Sequence, residues 1–156
     1  MAQEIERKFL VKNDSFIGDS YLQKNIKQGF LNSHKNRVVR VRIQENKSFL
    51  TVKGPSNESG TSRYEWEKEI PLEEGNQLLG LCEESIIEKT RYLIKSGNHI
   101  FEVDVFLGDN KGLIIAEVEL SHEAEIFTKP SWILEEVTGQ KKYYNALLSK
   151  TPFKDW

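Results

Sequence analysis

Carboxylates and basic groups recur in this chain at every second residue, a spacing that can bind a metal ion and a polyanion together. Near the N-terminus, Glu4-Ile5-Glu6-Arg7-Lys8 sets two carboxylates and an amine two residues apart. Side chains alternate between faces of an extended strand, so Glu4, Glu6 and Lys8 share one face, with the carboxylates roughly 7 Å apart. Two anions that close repel each other. A divalent cation would relieve the repulsion, and the lysine could hold an anion on that metal. Taken alone, the five residues read as a solvated strand face.

The pattern repeats along the chain. In 37–44, Arg40 and Arg42 share a face with Val38, and Val39, Val41 and Ile43 occupy the other. Phe49, Thr51 and Lys53 share a face in 48–54, and Glu65, Glu67 and Glu69 oppose Tyr64, Trp66 and Ile70 in 63–70. Lys89 and Arg91 are in phase in 85–95, Glu102 and Asp104 in 100–107, and Glu117 and Glu119 in 113–121.

These segments, with 3–12 and 26–31, read as about eight strands, joined at 45–47, 97–98 and 108–112 by turn residues. Loop 54–62 is polar and is expected to act as a lid over one mouth. Helices are expected at 14–23 with Asp14 as cap, at 72–84 after Pro71, and at 141–150 after Gly139; 121–138 is mixed. Short turns and alternation argue for antiparallel pairing, and a closed barrel removes exposed edges. The fold class is therefore α+β, mainly β: an eight-stranded antiparallel closed barrel with covering helices.

Alternating strands usually turn their charges to water. Here, however, the charges are segregated by sign along each strand, and like neighbours on a solvated face repel. Amphipathic helices are available to cover an apolar exterior. A charged interior with apolar residues outside satisfies both observations, and buried charges then require partners. The acidic strands suit hard cations, Mg2+ or Mn2+. The bases Lys8, Arg40, Arg42, Lys53, Lys89 and Arg91 suit a chain of phosphates.

The 156 residues are most economically one domain, 1–156, with 38% hydrophobic and 29% charged residues. A net charge of −2 gives no basic field for nucleic acid or membrane. Cys82 is the single cysteine, which excludes an intrachain disulfide and fits buried packing in a reducing compartment. Without an apolar run of membrane-spanning length or a signal peptide, a soluble cytoplasmic protein is expected. His34, His99 and His122 are expected to be solvated, Trp66 and Trp132 to be packed, and Trp156 to fold back or meet another subunit. A homodimer is compatible with the sequence.

With these residues in view, the chain resembles the CYTH domain family, also called triphosphate tunnel metalloenzymes. Glu4-Ile-Glu-Arg-Lys8 is similar to the family's Glu-x-Glu-x-Lys signature. The likeness continues through Gln28-Gly-Phe-Leu31, Arg37–Ile43 with Thr51-Val-Lys-Gly54, Glu65/Glu67/Glu69, Lys89-Thr-Arg91, Phe101-Glu-Val-Asp104, Gly112–Leu120 and Lys141-Lys-Tyr-Tyr-Asn145. One such motif is weak; matched strands in the right order are strong.

The resemblance implies a metal-dependent triphosphatase. Metal ligands would be Glu4, Glu6, Asp104, Glu117 and Glu119, and Lys8, Arg40, Arg42, Lys53, Lys89 and Arg91 would bind substrate. Lys8, Glu65 and Glu67 would be catalytic, with a Glu65 or Glu67 carboxylate orienting water, while Glu69 would instead pair with a neighbouring base. The family's aromatic after Gln28-Gly is often tyrosine, here Phe30. Inorganic tripolyphosphate is the expected substrate, since no segment reads as a nucleobase pocket. The alternatives are a class IV adenylate cyclase-like reaction, a nucleoside or thiamine triphosphatase, or a non-catalytic polyphosphate or nucleotide sensor.

Overall fold

Strands dominate because β-branched and aromatic residues alternate with polar ones along most of the chain. The structure, a computed structural model, describes residues 3–156, with Glu84 described by its backbone alone. In chain order it runs β1 (Gln3–Val11), α1 (Phe16–Asp19), β2 (Leu22–Asn32), β3 (Val38–Gln44), β4 (Lys47–Ser56), β5 (Ser62–Ile70) and α2 (Leu72–Leu79). It continues with β6 (Glu83–Ser96), β7 (His99–Phe106), β8 (Ile114–Glu119), β9 (Ile133–Glu136) and α3 (Asn145–Leu148).

Neighbouring strands pair antiparallel in the order β5-β4-β3-β2-β6-β7-β8-β1, and β1 returns to β5, closing a barrel of eight strands. On that closing edge β1 has two partners. Its first residues pair with β5, Glu4 opposite Arg63, and its last with β9, Phe9 opposite Glu136. β9 is a ninth strand inside the segment read as mixed; it spans only four residues and lacks alternation.

The exterior is apolar where other segments cover it. Phe9, Phe101, Val103, Ala116 and Val118 pack with Phe16 of α1 and with Trp132, which is buried as expected. The interior changes character along its length. The charged rows of β1, β3, β6, β7 and β8 end toward one end of the barrel in Leu10, Val38, Ile87, Phe106 and Ile115. Val137, Tyr143, Ala146 and Leu148 pack on this apolar patch, so the C-terminal segment plugs part of that end.

Several expected elements differ. The helix predicted over 72–84 stops at Leu79, because the chain must leave it to pair Glu83 with Phe30. Gly75 lets α2 lie on β4: a Cβ there would sit 2.3 Å from Ser48 Oγ. Helix 14–23 shrinks to α1, without an Asp14 side-chain cap, because Leu22 already pairs in β2 with Leu93. Helix 141–150 divides into a 3-10 turn, Lys141–Tyr143, and α3. Trp66 is exposed on the outer face of β5, since α2 packs against β2, β3 and β4 instead. Trp156 folds back, its ring centroid 5.3 Å from that of Tyr143 and 5.0 Å from that of Phe153.

Candidate active site

The period-two rows meet in one cavity of about 550 Å³. Glu4, Glu6, Lys8, Arg40, Arg42, Lys53, Glu65, Glu67, Lys89, Arg91, Glu117 and Glu119 all line it. Three walls differ in how their charges are balanced.

The β1–β8 wall is acidic. Pairing sets Glu6 opposite Glu119 and Lys8 opposite Glu117. Burial, then Glu117 and Glu4, push the Glu6 carboxyl well above its ordinary value. Burial also opposes the Glu117 charge, but Lys8, a hydrogen bond with Glu6, and Arg91 and Lys89 hold that carboxyl far below the usual range. Burial and like charge thus favour a proton on Glu6, while the neighbouring bases favour the charged form of Glu117. Glu119 is raised by burial and by Glu4 and Glu102. Lys8 Nζ lies 4.0 Å from Glu6 Oε1 and 4.8 Å from the centre of the Tyr144 ring. Lys53 crosses from β4 and donates to Glu4 at 3.0 Å, with Glu65 3.5 Å away. Burial alone would raise Glu4, but Lys53 outweighs it and the net shift is downward. Glu65, raised by burial and by Glu4, is left closer to neutral.

The β3–β4–β5 wall is basic. Arg40 and Arg42 each direct Nη2 to Glu67, at 3.4 Å and 3.3 Å, and Thr51 Oγ1 donates to the same carboxylate at 2.6 Å. One carboxylate thus serves two guanidinium groups. Their Nε atoms are buried and, among the described residues, have no hydrogen-bond partners. Arg42 is pushed down to about 10 by burial, then by Arg40 and Arg91. Glu69 is exposed and makes no ion pair among the described residues.

The β6–β7 wall is balanced. Asp104 accepts from Lys89 at 2.7 Å and from Arg91 at 2.8 and 3.0 Å, and its side chain is 2% exposed. It does not line the cavity. Both oxygens of Asp104, expected from the sequence as a metal ligand, are thus engaged by cations of its own wall. Its strand neighbour Glu102 faces the cavity and touches Arg91 at 3.3 Å. Lys89 is lowered to about 8, by burial first, with Asp104 opposing and Arg91 adding to the shift.

Sequence reading missed Glu102, Arg63, Tyr144 and Asn145 as cavity residues. Glu102 was legible, being in phase with Asp104. Tyr144 and Asn145 were not, because their helical segment gives no sign that it turns into a barrel. Loop 54–62 contracts to a turn at 57–61 that is tied down rather than free. Asn57 Nδ2 donates to Glu123 at 3.1 Å, and Gly60, at φ +76°, sits so close that a Cβ would lie 2.3 Å from Gly139 Cα. His99 is not simply solvated: its Nε2 is 2.6 Å from Glu125 Oε2. Cys82 is half-buried against Gly29.

Among the described residues, no three carboxylate, imidazole or thiol groups are gathered as a ready-made metal cage. The donor set nonetheless fits a hard divalent cation. Mg2+ is commonly held by one or two carboxylates plus substrate phosphates, and Glu4, Glu6, Glu117 and Glu119 offer such oxygens on one wall of the cavity. A closed antiparallel barrel with an acidic wall facing a basic one across its interior defines a polyanion-binding barrel with room for a metal.

The comparisons identify the class. The CYTH domain model matches residues 2–152, and the chain belongs to that family. An inorganic triphosphatase of Acetivibrio thermocellus is 46% identical, over 100% of this chain and 99% of the relative. An inorganic triphosphatase of Nitrosomonas europaea is 37% identical, over 94% and 96%. A crystal structure of an inorganic triphosphatase superposes with a TM-score of 0.66 at 34% identity, covering 96% of this chain and 95% of the other.

Proposed function

We propose that this protein hydrolyses inorganic triphosphate with the help of a divalent cation, Mg2+ or Mn2+. The observation that carries the reading is charge left over on two walls: four carboxylates on β1 and β8 with few local cations, and Arg40 and Arg42 sharing Glu67. A metal triphosphate neutralises both excesses at once. The relatives named as inorganic triphosphatases point the same way.

Glu4, Glu6, Glu117 and Glu119 would hold the cation together with phosphate oxygens. When bound, it would polarise those oxygens and offset charge on the leaving phosphate. Lys8, Arg40, Arg42, Lys53, Lys89 and Arg91 bind and align the phosphate chain and stabilise charge spread over the transferred group. Glu65 orients the attacking water and takes its proton; its raised affinity for a proton suits that role. Glu67 fixes Arg40 and Arg42 in place. Water oxygen bonds to the terminal phosphorus, the bridging P–O bond breaks, and orthophosphate and pyrophosphate leave. In this reading residues 1–156 act as one cytoplasmic domain on a small molecule, with no nucleic-acid or membrane partner; among the described residues no helix is long and apolar enough to cross a membrane.

The test is a substrate panel of tripolyphosphate, pyrophosphate, ATP, GTP and thiamine triphosphate, each with Mg2+, Mn2+ or Ca2+ and with products identified. The expected result is one orthophosphate and one pyrophosphate per tripolyphosphate, dependent on metal. Cyclic AMP from ATP, or tight triphosphate binding without turnover, would overturn it.

A further inference from the structure

The C-terminal segment brings to the cavity an amide side chain that no charge pattern announces. Asn145 lines the cavity beside Lys89. Its Oδ1 accepts two hydrogen bonds, from Gln28 Nε2 at 2.7 Å and from Lys89 Nζ at 2.9 Å. Gln28 is fully buried and Lys89 is 3% exposed, so both donors are held rigidly. With Gln28 oriented as it stands, its Nε2 toward Asn145 and its Oε1 buried without a partner among the described residues, Lys89 and Gln28 together favour this orientation of the amide. Turned over, Asn145 would aim its NH2 group at an ammonium and at another amide donor, three donors meeting without an acceptor.

Nδ2 is thereby left with two N–H donors and, among the described residues, no hydrogen-bond partner. Asn145 is half-buried and lines the cavity, and Nδ2 is not among the fully buried atoms without partners, so it remains accessible. An oriented, neutral N–H donor beside a lysine is the equipment for an anionic oxygen. Being neutral, it adds a hydrogen bond without further like-charge repulsion against Lys89 and Arg91.

We propose that Asn145 is a ligand-contacting residue, its Nδ2 donating to a phosphate oxygen at the Lys89 end of the bound triphosphate. The proposal rests on the triphosphate reading of the same cavity. It assigns the C-terminal segment a direct part in recognition as well as in plugging the barrel. Gln28 then acts through Asn145: it is a positioning residue that keeps the amide turned outward.

Two variants separate contact from support. Asn145→Ala loses both the donor and the acceptor that holds Lys89. Asn145→Asp keeps an acceptor for Gln28 and Lys89 but removes the donor and sets an anion against phosphate. Tripolyphosphate binding is measured by calorimetry on the whole protein with Mg2+ and without it, and thermal melting reports folding. Asn145→Ala is expected to bind about 10- to 100-fold more weakly, and Asn145→Asp to bind no better than Asn145→Ala. Recovery of near wild-type affinity in Asn145→Asp would overturn the contact, leaving only support of Lys89. A direct readout uses side-chain amide NMR, with Asn145→Asp assigning the resonance: tripolyphosphate should move the Asn145 NH2 protons downfield. An unmoved resonance in a wild-type protein that binds tripolyphosphate overturns this inference alone. Absence of tripolyphosphate binding by the wild type overturns the triphosphate reading and the inference together.

Discussion

Two walls of the same cavity handle buried charge in opposite ways. On β6 and β7, Asp104 sits between Lys89 and Arg91 at 2.7 to 3.0 Å, and Glu102 meets Arg91 at 3.3 Å. On β1 and β8, burial and acidic neighbours push the Glu6 and Glu119 carboxyls up, and Glu117 is held charged against burial by the surrounding bases. The first wall is complete as protein. In the proposed reading, a bound cation would complete the second. A buried ion pair is weak proof of function, since structural pairs also arise; unanswered like charge facing a cavity is a stronger pointer, because folding alone gains nothing from it.

The contrast can be broken most forcefully at Asp104. Asp104→Asn should destabilise the fold by about 3–5 kcal/mol, since two buried cations lose their anion. Urea unfolding measures it; a loss under 1 kcal/mol would show that the balanced wall is not structural. At Glu6, the opposite is expected. Glu6→Gln should cut metal-dependent turnover on the order of a hundredfold while leaving thermal stability unchanged or raised, because a like-charge contact disappears. Activity retained at saturating metal would remove the acidic wall from the metal site.

A smaller effect concerns Lys89, whose amine loses its proton as pH rises through about 8. Affinity for tripolyphosphate should therefore weaken above that pH, and Lys89→Gln should flatten this limb of the profile. The smallest effect lies outside the cavity. Arg7, facing outward between Glu6 and Lys8, holds Glu136 of β9 at 2.5 and 2.8 Å and keeps that carboxyl below its ordinary value, chiefly through the hydrogen bonds from Arg7. A depressed carboxyl stabilises above its unfolded value, and that contribution is lost as pH falls through the folded one. Glu136→Gln should cost at most about 1 kcal/mol at neutral pH, the difference in melting temperature should vanish in acid, and tripolyphosphate turnover should be unaffected.

How much of this was legible varies with the range of the signal. The strands were readable because alternation is local, and β3 and β5 fall within a residue of their expected bounds. Helix ends were less readable. Leu72–Glu84 has the composition of one helix, and only the demand of β6 for a partner ends it at Leu79. Glu65 and Glu67 look alike in sequence, yet one faces Glu4 and Lys53 while the other is locked by Thr51, Arg40 and Arg42. Asp104 and Glu102 share a strand face, but only depth in the barrel decides which is consumed by ion pairs.

By itself the sequence determined the charge rows, their segregation by sign and the barrel that could enclose them. These follow from a two-residue period and from the cost of burying like charge without a partner. Tertiary structure alone decided which charges were already answered and which still wait for a ligand. It also decided that the C-terminal segment, read as a helix with an apolar side, brings Tyr144 and Asn145 to the cavity. Contacts between residues more than a hundred positions apart, as between Gln28 and Asn145, are set by chain closure, and no local pattern encodes them.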